Sequence, residues 1–223
     1  MNGDEQFQVR KDGIRKHLLK YTRKAFRMLP HVDNPRILDI GCGSGFPTLE
    51  LAKLSRGDVT GIDIDRPALD TFTKAIRAEG LTGRVRAIHC SMFDMDFTEE
   101  SFDIIWSEGS IYTIGFEKGL QEWKRLLKPG GFMVVHDEQG DVPAKLEAFS
   151  RYSYELLGYF LLSTETWRTE YFVPLEKLVQ KYLARHTGDF KLPEVLHQAQ
   201  TELDMFRKSP ERNSSVYFVM KKQ

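Results

Sequence analysis

From about Arg36 the chain alternates short apolar runs with longer stretches whose apolar residues recur every three or four positions. That alternation predicts strand and helix in turn, and hence a parallel sheet covered on both faces. "RILDI" is the first strand and stops at a run of glycines. "TLELAKL" follows as a helix, with Leu49, Leu51 and Ala52 on its apolar side and Pro47 in the first turn, where a missing N–H costs nothing. "DVTGIDID" is the second strand. "RPALDTFTKAIRAEG" places Ala68, Leu69, Phe72, Ala75 and Ile76 at helical spacing between Pro67 and Gly80. "RVRAIHC", "FDIIW" and "FMVVHD" are the third, fourth and fifth strands. "KGLQEWKRLL" is the helix before the fifth, and "KPGG" is its stop.

Beyond Asp141 the alternation loosens. "PAKLEAFSRYSYELLG", "PLEKLVQKYLARH" and "LPEVLHQAQTELDMFRK" are expected to be helical, "YFLLST" a sixth strand and "SVYFVMKK" the last. At the other end, "RKDGIRKHLLKYTRKAFRML" spaces Ile14, Leu18, Tyr21, Ala25 and Leu29 as a helical stripe, with Lys and Arg over the remainder. We expect it to act as a lid with a solvated basic face, a phosphate or RNA contact being the alternative. No repeat, low-complexity tract or linker interrupts the chain, so 1–223 is expected to be one domain. Within it, 1–35 is the helical lid, 36–140 a ligand-binding core, and 141–223 the C-terminal helices and last strands.

Composition narrows the function classes. Lys plus Arg and Asp plus Glu number 32 each in 223 residues, so no global field favours a polyanion and nucleic acid is disfavoured as a partner. The polar start carries no apolar leader and no later run approaches a spanning length. The expectation is a cytoplasmic monomer or homodimer without membrane attachment. Cys42 and Cys90 have neither disulfide nor zinc spacing and are read as free thiols, with no metal site.

The chemistry starts at "ILDIGCGSGFPT". A strand, glycines and a helix start make a recess where backbone touches a ligand. The dinucleotide pattern G-x-G-x-x-G would need glycine where Phe46 stands, a disfavoured but open route to a nicotinamide-dependent oxidoreductase. A P-loop needs a lysine, and none lies between Arg36 and Lys53. A serine elbow needs glycines where Ser44 has Cys42 and Phe46. What remains is Asp39-x-Gly41-x-Gly43-x-Gly45, with an acid, Asp63, 22 positions after Gly41 at the end of the second strand.

From about Arg36 to Asp137 this sequence resembles the class I S-adenosylmethionine-dependent methyltransferases, and within them the small-molecule enzymes related to those of quinone biosynthesis. The resemblance implies a three-layer, Rossmann-like α/β fold, with a mainly parallel sheet of about seven strands and an antiparallel C-terminal strand. It also implies S-adenosylmethionine as cofactor and a small-molecule methyl acceptor; a non-catalytic binding module is a further alternative. The cofactor set carried over is Asp39, Gly41, Cys42, Gly43, Gly45, Asp63, Ile64, Ser91, Met92 and Glu108. Asp63 would hold the ribose hydroxyls, with Asp65 as competitor; Asp39 would hold the amino-acid end; Ile64, Ser91 and Met92 would lie against adenine. Cys42 reads as a small turn residue.

Ligands of open α/β sheets sit beyond the carboxyl ends of the strands, so substrate contacts are expected after the fourth and fifth strands. Trp106, Glu108, Tyr112, His136, Asp137 and Glu138 fall there. Glu108 beside aromatics could hold a cation or accept a proton, and His136 could be a general base; these two are the candidate catalytic residues. Trp106, Tyr112, Trp167 and Tyr171 are the candidate substrate residues. No Asn/Asp-Pro-Pro-aromatic motif follows the fourth strand, which disfavours nucleobase amines as acceptors.

Overall fold

The computed structural model describes residues 3–184 and 194–223. In chain order the elements are α1 (Gly3–His17), α2 (Leu19–Arg27), β1 (Arg36–Ile40), α3 (Phe46–Ser55), β2 (Asp58–Asp63) and α4 (Arg66–Ala78). There follow β3 (Val85–His89), β4 (Phe102–Glu108), α5 (Phe116–Lys124), β5 (Leu127–Glu138), α6 (Val142–Arg151) and β6 (Tyr154–Leu162). The chain closes with α7 (Thr164–Trp167), α8 (Val173–Leu183), α9 (Glu194–Lys208) and β7 (Ser215–Lys222).

These elements form two compact units. A sheet unit spans Tyr21–Leu161 and Val216–Gln223; a helical unit contains the described residues of Met1–Lys20 and Leu162–Ser215. The sheet has seven strands in the order β3-β2-β1-β4-β5-β7-β6, mainly parallel with an antiparallel C-terminal strand, as expected. Its interior strands are apolar on both faces because helices flank them. Leu38 and Ile40 of β1 join Ile105 of β4 and Met133 and Val135 of β5 in one core cluster. Ile37, Ile104 and Trp106, at the alternate positions, are equally buried on the other face.

Three expectations need correction. "KPGG" does not end a helix: α5 stops at Lys124, and Leu127 already pairs with Phe102. The next pairing is Ile104 with Phe132, so two steps along β4 are matched by five along β5. Gly130, at φ 69°, supplies the left-handed residue of this bulge, where Pro129 has no ladder bond to lose. Likewise α6 ends at Arg151. Ser153 turns the chain at φ 56°, and Tyr154 begins β6 earlier than expected.

The N-terminal stripe is two helices, because the Leu18 N–H bonds Arg15 O in a tight turn and the axis is interrupted there. Its apolar residues serve two cores. Ile14 and Leu18 pack in the helical unit, whereas Ala25 is buried in the sheet unit and Tyr21 meets Phe160. The end of "PLEKLVQKYLARH" and the first two residues of "LPEVLHQAQTELDMFRK" lie outside the described residues.

The helical unit is built on Phe7 of α1, Leu175, Leu178, Val179 and Tyr182 of α8, and Leu196, Leu203 and Phe206 of α9. Between α7 and α8 a π-type turn, Arg168–Phe172, shifts the helical phase by about one residue, so that neighbours Tyr171 and Phe172 are both buried.

Candidate functional site

The strand order reverses at β1 and β4: from β1 the chain builds outward to β2 and β3, and from β4 outward to β5. The carboxyl ends of strands on either side of such a switch leave a crevice between their diverging connections. Here it is a cavity of about 260 Å³. Gly41 lines it from the end of β1, Asp63 and Ile64 from β2, Ser91 and Met92 from β3, and Ser110 and Tyr112 from β4.

The glycine turn is held to β2 by two bonds to one carbonyl: the N–H groups of Gly41 and Cys42 both reach Ile62 O, at 2.9 and 3.0 Å. Gly41, Gly43 and Gly45 all have positive φ, at 77°, 51° and 77°. Their missing side chains nevertheless serve different ends. A Cβ on Gly41 would lie 2.4 Å from Ser110 Cβ, and one on Gly45 would lie 2.0 Å from the Phe72 ring. A Cβ on Gly43 would meet nothing within 4 Å. Gly45 thus lets the turn seat on the core, Gly41 lets Ser110 close over the strand end, and Gly43 presents bare backbone to open space.

Asp63 turns its carboxylate back over this turn. Oδ2 accepts the Gly43 N–H at 2.7 Å and Oδ1 accepts the Asp65 N–H at 2.9 Å. Each oxygen keeps a lone pair for a ligand hydroxyl. Asp65 is otherwise engaged, its side chain capping α4 by accepting the Ala68 N–H at 3.0 Å. Among the described residues that line the cavity, Asp63 is the only charged one.

Asp39 lies beneath the turn, 1% exposed, its Oδ2 accepting the Thr48 hydroxyl at 2.6 Å. Burial pushes its pKa up to about 7; the Thr48 bond pulls the other way, and the negative charges of Glu108 and Asp63 add to the rise. Burial likewise raises Glu108, whose carboxylate accepts the Trp106 indole N–H at 2.8 Å and the Tyr217 hydroxyl. The Thr22 hydroxyl lies beside both groups without a hydrogen bond of normal geometry. The negative charges of Glu108 and Asp63 bear on Asp39, and this gathering of acids at the strand ends favours an incoming cation.

His136 is the register partner of Glu108, and its ring stacks on Tyr217 with centroids 4.1 Å apart. Burial lowers its pKa to about 3, which leaves a neutral imidazole of little basicity at pH 7. Glu108 and His136 flank the cavity without lining it. Asp137, next along β5, is buried and paired with Lys145 at 2.5 Å. Glu138, at the end of β5, is exposed.

The remaining expected residues separate. Ile64 and Tyr112 line the cavity at 67% and 62% exposure, apolar surfaces left open at its mouth. Cys42 is buried behind the turn, its thiol pushed far up by burial and donating weakly to Gly43 O. Trp106 is fully buried and acts on the site only through its N–H. Trp167 and Tyr171 belong to the helical unit, where Trp167 donates to Ser215 Oγ and Tyr171 to Glu202 Oε1.

Sequence reasoning missed Phe93, 61% exposed on the cavity wall, and Ser110, whose hydroxyl donates to Ile40 O at 2.6 Å and receives a bond from Ser107. Phe93 could have been noticed as an aromatic in a polar turn; Ser110 carried no signal. Ser91 Oγ accepts the Phe93 N–H at 3.2 Å, so toward a ligand it offers an O–H donor. Among the described residues there is no cluster of metal-ligating side chains and no helix long and apolar enough to cross a membrane.

Residues 37–131 match a family described as "Methyltransferase domain". The ubiquinone/menaquinone biosynthesis C-methyltransferase UbiE of Geotalea daltonii is 31% identical over 118 residues, covering 52% of this chain and 50% of that protein. The chain spans half or less of the length of the curated relatives it matches. Among solved structures, the [4+2]-cyclase SpnF has a TM-score of 0.73 at 19% identity, covering 91% of this chain and 80% of that one. A methyltransferase from Thiobacillus denitrificans in complex with S-adenosyl-L-homocysteine has a TM-score of 0.70 at 17% identity, covering 92% and 91%. At these identities the structural likeness establishes the fold, here the Rossmann-like methyltransferase fold.

Proposed function

We propose that this chain, whose residues 37–131 form a methyltransferase domain of the class I type, binds S-adenosylmethionine and passes its methyl group to a small molecule. The observation that carries the reading is Asp63: an acid fixed by two backbone N–H groups, one of them from the glycine turn, at the wall of a cavity that Gly41 also lines. That pairing suits a ribose, with two adjacent hydroxyls for the carboxylate and a flank against Gly41. Ile64, Met92 and Phe93 supply apolar surface for a purine, and Ser91 an O–H for a ring nitrogen. The carboxyl group of Asp39, with Glu108 nearby, favours a cationic amine beneath the turn.

When bound, S-adenosylmethionine supplies a methyl on a positively charged sulfur, so transfer is an in-line displacement that needs alignment more than acid-base machinery. The chain's part is to hold the donor by Asp63 and the glycine turn and to screen it with Tyr112. Glu108, one residue before the cavity-lining Gly109, is the reading's candidate to take up a proton from an acceptor that starts protonated, its affinity for protons raised by burial. His136 supports that carboxyl through Tyr217 rather than acting as a base.

Two free thiols, Cys42 and Cys90, support a reducing, cytoplasmic setting, and the reading takes the working species as a monomer or homodimer. A cavity wall without Lys or Arg among the described residues supports an acceptor other than nucleic acid. Calorimetry with S-adenosylmethionine, S-adenosylhomocysteine and NAD tests the donor site; binding of NAD with no response to either sulfur ligand would overturn it. Because a fold does not specify its reaction, a second arm incubates the protein with labelled donor and metabolite extracts. Donor binding without any labelled product would favour a non-catalytic module.

A further inference from the structure

The balanced charge of the whole chain hides a local excess. Residues 10–27 contain Arg10, Lys11, Arg15, Lys16, Lys20, Arg23, Lys24 and Arg27 against the single acid Asp12. Part of this excess is spent inside the protein: Lys11 pairs with Glu202 at 2.7 Å, Lys20 with Glu170 at 2.7 Å, and Arg23 with Glu50 at 2.5 Å. Arg10 has no ion pair or hydrogen bond among the described residues, and neither do Lys177 and Lys181 of α8.

These three converge. Within the helical unit α1 and α8 run antiparallel, since Phe7 meets Tyr182 at 5.1 Å and Lys20 reaches Glu170. Arg10 and Ile14 share one face of α1; Pro174, Lys177, Leu178 and Lys181 share one face of α8. The two faces border a groove of about 480 Å³. Antiparallel packing sets Arg10 opposite the turn from Lys177 to Lys181, so three cations ring one end. Leu178 lies between these lysines, Ile14 and Pro174 carry the apolar floor onward, and His17 and Glu170 complete the lining. Gly13 leaves the wall open, because a Cβ there would meet nothing within 4 Å.

We propose that this groove binds an anionic amphiphile, a free small molecule whose phosphate or similar dianionic head sits among Arg10, Lys177 and Lys181 and whose apolar body lies on Ile14, Pro174 and Leu178. Glu170, the acid lining this groove, is paired with Lys20; the three cations repel each other, and a dianion relieves that repulsion in a way a neutral ligand does not. The apolar floor adds area that bare phosphate cannot use. The site is separate from the donor cavity in its residues and goes beyond methyl transfer, so either reading can fail without the other.

The test uses the full chain and dodecyl phosphate below its micelle concentration, followed by calorimetry. Wild-type protein should bind it more tightly than inorganic phosphate and show no binding of dodecyl maltoside. Lys177→Gln/Lys181→Gln and Arg10→Gln should each weaken binding by about tenfold, with the effect shrinking in high salt. Lys74→Gln, on exposed α4 surface, should leave it unchanged, and saturating S-adenosylhomocysteine should not displace the probe. These side chains are exposed, so melting temperatures should match wild type. Equal binding by the folded double variant would overturn the proposal, as would displacement by S-adenosylhomocysteine or equal binding of the maltoside. So would sedimentation with phosphatidylglycerol vesicles, or capture of an RNA oligomer, by a protein that ignores dispersed dodecyl phosphate.

Discussion

Replacing Asp39 by Asn should make the ligand-free protein more stable at neutral pH while loosening its hold on the donor. The carboxyl is buried, and its pKa rises from an ordinary 3.8 to about 7 in the folded chain. A raised folded pKa means that the native state keeps a proton the unfolded chain has already lost. Stability is therefore fully present below about pH 4 and is lost as pH climbs through about 7. At about 1.36 kcal/mol per pKa unit, the roughly three-unit rise sets an upper bound of about 4 kcal/mol. In a chain of this size that corresponds to on the order of 10 °C in melting temperature. Asn cannot ionise, yet its side-chain oxygen still accepts the Thr48 hydroxyl, so the substitution removes the charge and little else. The assay is urea denaturation of ligand-free wild type and variant at pH 5, 6, 7 and 8. The two stability curves should diverge with rising pH, the variant above. Parallel curves would refute the reasoning. The counterpart is in binding: wild-type affinity for S-adenosylhomocysteine should fall from pH 8 to pH 6 as Asp39 takes up its proton, and the variant's affinity should be lower and flatter.

Asp63→Ala should weaken S-adenosylhomocysteine binding by more than about tenfold, since charge-assisted hydrogen bonds are worth roughly 1.5 to 3 kcal/mol each; an unchanged dissociation constant in a folded variant would remove Asp63 from the site. Gly45→Ala should cost about 2 to 4 kcal/mol by urea denaturation, combining a left-handed backbone with a clash into Phe72. Gly43→Ala should cost only about 1 to 2 kcal/mol, because open space receives its methyl, yet should reduce donor affinity more than Gly45→Ala does among molecules that remain folded. With a pKa near 3, the His136 ring should show no titration between pH 5 and 8 by NMR; a midpoint near 6.5 would contradict its buried placement.

The order of strands and helices was legible because each depends on local features: alternation, helix-starting prolines and the glycine turn. The residues that line the cavity were legible for the same reason, since Gly41, Asp63, Ile64, Ser91 and Met92 all sit within three residues of strand ends that apolar runs reveal. Distances between elements were not. "KPGG" looked like a stop because a proline and two glycines end helices more often than they form a bulge, and only the pairing of β4 with β5 decides between them. Trp106 looked like a pocket residue because it ends an apolar run; its indole is instead wholly buried, with the N–H spent on Glu108. Tyr171 and Phe172 could not both be assigned to a core from a 3.6-residue period, because the π-type turn that buries them breaks that period.

The bulge at Lys128–Gly131 has a consequence for how the protein tolerates change in length. It absorbs the mismatch between β4 and β5 near the entry of both strands, and pairing then runs in step to Glu108 and His136 at their far ends. Residues added or removed there alter slack rather than register. The stretch is a natural splice point, where a short tag or probe could be accommodated while every side chain at the opposite rim keeps its partner.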